Sequence, residues 1–341
     1  MGVALAPANG VGAGTALIEA GAREVYWGFF DEGWTRRFGQ WAFLNRMSPF
    51  GTEANSLAFA DLLAEVRACR ALEERLAPEQ PLGLYCTFNS PHYTCEQRRY
   101  IAHEYLPALK EAGLSGIIVS QPELLAVARE AGLVAVASTM CAVYNEELAR
   151  FYREEGASRI ILPRDLSLTE LAAIIAAVPG PSYEVFLMRN GCLYADSHCL
   201  GLHRSGCPSL CRSLREAAWW EVPTGACAEE AAAGGGKVPA HIQGRLASGA
   251  VYRERFHQVA CGQCALWHLE QAGVAAYKVV GRGDARSDLL RDVQLTAHNV
   301  EVAHECASHE EFLQRMQRPA WLRSACADEG LSCYYPEVRA E

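Results

Sequence analysis

Short, continuous apolar runs alternate with amphipathic stretches along this chain. Eight runs have strand length: Val3–Ala6, Glu24–Trp27, Leu82–Phe88, Gly116–Val119, Val134–Ser138, Arg159–Leu162, Tyr183–Met188 and Ala275–Val280. They are too short for helices, and most are rich in Val, Ile, Leu or aromatic residues. Unbroken apolar character fits parallel strands covered on both faces better than strands with one wet face. The intervening stretches carry apolar stripes at helical spacing, predicting helices over Ser56–Leu76, Pro122–Ala131, Asn145–Glu155 and Ser167–Val178. Asn145 followed by Glu147 marks one helix start, and Ser167 with Glu170 has the S-x-x-E spacing of a capping box. Gly113, Gly132 and Gly156 fall where helices should stop.

Eight strands with helices between them predict an α/β fold, a TIM-type (β/α)8 barrel, with a doubly wound open sheet as the alternative. There is no internal repeat. One long cysteine-rich insertion, 189–274, interrupts the order between strands seven and eight. In a barrel, a segment leaving the C-terminal end of a strand lies on the active-site face. The expected organisation is a barrel over residues 1–300 that includes the insertion, with 301–341 as a C-terminal extension packed on it. Within the insertion, the Glu229–Gly236 stretch EEAAAGGG reads as a flexible surface loop.

Composition narrows the function. Half of the 341 residues are apolar, enough for a sizeable core, and the formal net charge is −9. An acidic surface disfavours nucleic acid and anionic lipid as partners. The Met1–Gly21 stretch has neither the basic start nor the apolar run of a signal peptide, and no stretch approaches the roughly 20 apolar residues of a membrane span. A cytoplasmic location is expected. Fourteen cysteines in a reducing compartment point to metal ligation or redox work rather than disulfides.

Seven of the 14 lie in the insertion: Cys192, Cys199, Cys207, Cys211, Cys227, Cys261 and Cys264. Cys207-x3-Cys211 with Cys261-x2-Cys264 has a spacing that suits tetrahedral zinc. The closely spaced run Cys192, Cys199, Cys207, Cys211 with a distant Cys261 equally suits an iron–sulfur cluster, which takes four thiolates. Spacing alone leaves both open, beside inert buried thiols. Cys69, Cys86, Cys95, Cys141, Cys306, Cys326 and Cys333 stand apart and read as packed thiols.

Several stretches together resemble one family. Leu5-Ala-Pro-Ala8, Gly21-Ala22 and Val25-Tyr-Trp-Gly28 match its opening. Arg159-Ile-Ile-Leu-Pro-Arg164-Asp-Leu-Ser167 matches a later stretch through Glu170. Glu184-Val-Phe186 leads into Cys192-x6-Cys199-Leu200, and Cys261 is followed by Glu270-Gln-Ala-Gly273 and Lys278-Val-Val-Gly281-Arg282. This pattern, running to about residue 300, resembles the peptidase U32 family. The family's studied enzymes bind a 4Fe–4S cluster and include oxygen-independent hydroxylases of ubiquinone synthesis, tRNA and rRNA. Older usage calls them collagenase-like peptidases. The resemblance implies Cys192, Cys199, Cys207 and Cys261 as cluster ligands, with Cys211 in reserve. It implies prephenate, rather than O2, as oxygen donor, and a paralogous U32 subunit as a heterodimeric partner. The chain departs from the pattern at Asn190, at Ala195-Asp196-Ser197, at His198, at Val259-Ala260 before Cys261, and in a shortened loop between Cys199 and Cys207.

Residues just past each strand face a barrel's site. These are Asn89, Thr139, Arg164, and Lys278 or Arg282, with Arg164, Lys278 and Arg282 taken as the catalytic set. Arg164 and Arg282 suit a planar anion through their forked donors, or an ordinary ion pair. His92, His198 and His203 are loop histidines near the same face. The acidic balance favours a small, quinone-like substrate over RNA. A peptidase is disfavoured: the sequence has no His-Glu-x-x-His motif and no Gly-x-Ser-x-Gly elbow. A non-catalytic cluster-bearing scaffold is the third reading.

Overall fold

The computed structural model describes residues 1–47, 55–79, 81–189, 191–192, 196–199, 260–319, 321–322, 326 and 333–339. Eight parallel strands close into a barrel in sequence order: β1 (Val3–Pro7), β2 (Glu24–Trp27), β3 (Gly83–Phe88), β4 (Gly116–Val119), β5 (Val134–Ala137), β6 (Arg159–Ile161), β7 (Ser182–Met188) and β8 (Ala276–Val279). β8 pairs with β1 through Val3↔Ala276 and Leu5↔Lys278, so no edge is left open. Closure rules out the open-sheet alternative. Each strand lies within a residue or two of an apolar run in the sequence.

Helices cover the outside. In chain order they include α1 (Ala13–Glu19), α2 (Glu32–Phe38), α3 (Phe59–Leu76), α4 (Cys95–Tyr100), α5 (Leu106–Glu111), α6 (Pro122–Glu130), α7 (Glu146–Glu154), α8 (Leu168–Ala177), α9 (Leu266–Gln271), α10 (Arg286–Glu305) and α11 (His309–Arg315). α4 runs through a π-helical stretch, Ile101–Tyr105, into α5. The start signals act as expected. Asn145 accepts from the Leu148 backbone N–H at 2.9 Å, and Ser167 and Glu170 form a reciprocal capping box. Thr94 and Gln97 form a second. The predicted stop glycines Gly113, Gly132 and Gly156 all have positive φ. The segment Glu229–Gly236 lies outside the described residues.

Two apolar layers result. Trp27, Leu62, Val66 and Leu124 belong to the layer between strands and helices. A smaller cluster, with Leu5, Tyr26, Tyr85, Ile118 and Phe186, fills the barrel interior. The interior also holds charge. Arg159 grips Glu24 with both terminal nitrogens, the Nη2–Oε1 distance being 2.8 Å. Lys278 Nζ donates to Glu184 Oε1 at 2.6 Å, and Arg159 lies 3.8 Å from the other Glu184 oxygen. Two cations and two carboxylates are thus linked in one chain across the barrel. Gly83 makes room for it, since a Cβ there would fall 2.7 Å from Glu24 Cγ.

Candidate active site at the barrel mouth

The C-terminal ends of the strands deliver a dense polar cluster. Its centre is Asp196, on a short 3-10 turn after β7. Arg164, following β6, donates to it twice, Nε to Oδ2 at 2.9 Å and Nη2 to Oδ1 at 3.1 Å. Arg46 Nη1 donates to Oδ1 at 2.6 Å. Thr139, following β5, adds its hydroxyl at 3.0 Å. Arg164 also lies over the Phe186 ring, 4.1 Å from its centroid. Asn89, following β3, fixes the loop beneath Arg46: its Oδ1 accepts from the Arg46 backbone N–H at 3.3 Å.

Electrostatics follow from these distances. Burial alone would raise the Asp196 carboxyl, but Arg164 and Arg46 outweigh it and hold the group well below the usual carboxylate range. Burial opposes the charge on Arg164, and Asp196 overrides that and keeps it protonated. Arg282, following β8, is different. Its Nη1 donates to two neutral oxygens, Asn55 Oδ1 at 3.1 Å and Thr87 Oγ1 at 3.3 Å. Burial pushes it down to about 10, with Tyr26 opposing and Arg46 adding to the fall. Three arginines therefore share one carboxylate at this mouth, leaving two positive charges in excess among the described residues. Lys278 lies deeper, neutralised by Glu184 and 4.0 Å above the Tyr26 ring.

The predicted site residues divide. Asn89, Thr139, Arg164 and Arg282 stand at the mouth, while Lys278 belongs to the interior ion-pair chain. Cys192 lies within electrostatic reach of Arg164 and Tyr334, and Cys199 within reach of Arg46. Cys261 sits beside the end of β7, bridged to Met188 on one side and Cys333 on the other. The Tyr334 N–H donates to its carbonyl at 2.9 Å. Burial pushes its thiol well up, and the neighbouring Cys264, Cys326 and Cys333 push the same way. Cys326 and Cys333, read from sequence as isolated packed thiols, are half-buried neighbours of Cys261, whereas Cys69, Cys86, Cys141 and Cys306 are buried as expected and Cys95 is exposed. Cys207, Cys211 and His203 lie outside the described residues, and His92 is exposed on the surface. Among the described residues, no group of three or more His, Cys, Asp or Glu is arranged to hold a metal ion. Also among them, no helix is long and apolar enough to cross a membrane.

Arg46 and Asp196 escaped the sequence reading. Asp196 was visible only as a departure from a family pattern, and nothing in the sequence distinguishes Arg46 from other loop arginines.

Comparison with known proteins adds the following. The model of peptidase family U32 matches residues 11–318. A tRNA hydroxylation protein P1 of Bacillus subtilis (strain 168) is 28% identical over 119 residues, covering 32% of this chain and 28% of that protein. A collagenase of Porphyromonas gingivalis (strain ATCC BAA-308 / W83) is 25% identical over 226 residues, covering 61% of this chain and 48% of that protein. The chain thus spans no more than about half the length of these relatives. Among solved structures, the U32 peptidase Mk0906 aligns with a TM-score of 0.40 at 12% identity, covering 55% of this chain and 69% of that one.

Proposed function

The chain belongs to peptidase family U32, and on that footing we propose that it is an iron–sulfur oxidoreductase, an oxygen-independent hydroxylase of a small, quinone-like substrate. The observation that carries this reading is the charge at the barrel mouth. Cys192 and Cys199 flank Asp196 in sequence, and each lies within reach of one of the two arginines that Asp196 joins. A positively charged mouth suits a cluster that, held by four thiolates, carries net negative charge. Cys192, Cys199, Cys207 and Cys261 would hold a 4Fe–4S cluster, with Cys211 in reserve. When bound, such a cluster supplies one-electron redox chemistry at the mouth.

The chain's own groups have separable tasks. Asp196 orients Arg164 and Arg46 and ties the segment bearing Cys192 and Cys199 to β5 and β6. Arg282 supplies a positive charge that no carboxylate among the described residues pairs with. Prephenate as oxygen donor and a paralogous U32 subunit as partner belong to the same proposal. The relative named as a tRNA hydroxylation protein supports hydroxylation as the reaction class, while the acidic net charge favours a small molecule over RNA. The collagenase relative favours a peptidase. Against that, the sequence has neither a His-Glu-x-x-His motif nor a Gly-x-Ser-x-Gly elbow.

The test is anaerobic purification with iron, sulfide and zinc analysis. About four iron and four sulfide per chain are expected, falling on Cys192→Ser or Cys199→Ser but not on Cys69→Ala. A colourless protein with one tightly held zinc overturns the proposal.

A further inference from the structure

Arg164 and Arg46 each pair with the Asp196 carboxylate. Arg282 has no such partner: among the described residues no carboxylate comes within ion-pair distance of it. Only 8% of the residue is exposed. Its hydrogen bonds to described residues leave Nη1 and end on the neutral oxygens of Asn55 and Thr87. Nε and Nη2 donate to no described residue. Those two nitrogens form the edge of the guanidinium fork that meets a planar carboxylate with two parallel hydrogen bonds. Arg46 lies close enough to add a like charge.

The neighbouring backbone is shaped around this group. Gly28, directly after β2, lies under Arg282, and a Cβ there would fall 1.8 Å from Nη1 and 2.3 Å from Asn55 Oδ1. An arginine that served only to fill space would not need a glycine beneath it and two neutral acceptors to fix one of its nitrogens. A buried cation without a counter-charge destabilises the fold unless something supplies that charge. The donors left over define what it must be.

We propose that Arg282 anchors a carboxylate of a small molecule bound at the barrel mouth, through Nε and Nη2, with Asn55, Thr87 and Gly28 holding the guanidinium in place. The inference rests on reading the mouth as the active site. It separates the two arginines that look alike in sequence: Arg164 is a positioning residue held by Asp196, and Arg282 is the one that touches ligand.

The test uses the full chain purified anaerobically, titrated at constant ionic strength with malonate, inorganic phosphate or neutral malonamide, and read by calorimetry and thermal unfolding. Malonate should bind and raise the Tm of the parent, and malonamide should not. Arg282→Met should unfold at a higher temperature than the anion-free parent and lose the malonate response. Arg282→Lys keeps the charge without the fork and should weaken malonate at least tenfold. A Met variant that is destabilised without ligand assigns Arg282 to internal structure and overturns the proposal, as does a Lys variant that binds malonate like the parent. An equal response to phosphate overturns the carboxylate assignment. Iron is measured on the same samples: iron-free protein with an intact malonate response removes the cluster reading alone, and iron-loaded protein without one removes this inference alone.

Discussion

Replacing Asp196 with Asn tests how much of the mouth depends on one carboxylate. Asparagine keeps the size and both polar atoms, so the perturbation is the loss of a charge that receives four hydrogen bonds, from Arg164 twice, Arg46 and Thr139. The Asp196 side chain is 4% exposed and that of Arg164 equally so, and water therefore does little to compensate. Breaking a buried ion pair from one side costs about 3–5 kcal/mol, because the partner charges stay buried. For 341 residues the unfolding entropy is on the order of 0.7 kcal/mol per kelvin, so the Tm should fall by about 4–7 °C. The pH profile gives an independent readout. The folded carboxyl is depressed below its unfolded value of about 3.9, so its contribution is fully present above that value and is lost as pH falls through the folded one. The parent should lose stability steeply on the acid side of about pH 4, and Asp196→Asn should show a shallower acid limb. A Tm within a degree of the parent, with an unchanged acid limb, would refute the argument.

Three further outcomes follow from contacts elsewhere. Lys278→Met leaves Glu184 buried beside Arg159 alone and should cost about 3–5 kcal/mol in urea unfolding, most of it recovered in the double variant with Glu184→Leu. Thr94→Ala removes a reciprocal cap at the start of α4 and should cost about 0.5–2 kcal/mol by the same measurement. Gly28→Ala drives a methyl into Arg282 and Asn55; it should destabilise by about 1–3 kcal/mol and abolish the malonate response, whereas an unaltered titration would show that the guanidinium is free to move aside.

The barrel was legible in the sequence because parallel strands buried on both faces read as unbroken apolar runs. The same runs carried Glu24, Arg159, Glu184 and Lys278, and nothing local shows that these four meet inside the barrel. Glu24 and Arg159 are 135 residues apart in sequence and find each other only through strand register. Arg164 and Arg282 could be placed at the mouth because they follow strands. Their different roles could not be read, since what separates them is the presence or absence of a carboxylate supplied from elsewhere. The cysteine spacing drew attention to Cys261, but its bridge to Cys333 joins two distant segments, so Cys326 and Cys333 looked isolated.

Residues 333–339 pack beside the mouth. Tyr334 donates its hydroxyl to the Arg189 carbonyl at 2.5 Å, and Tyr335 donates to the Phe186 carbonyl at 3.3 Å. Glu337 accepts from the Leu168 N–H at the start of α8. A change that loosens residues 333–339, such as a bulky group attached beside them, would therefore alter the lining of the candidate site itself.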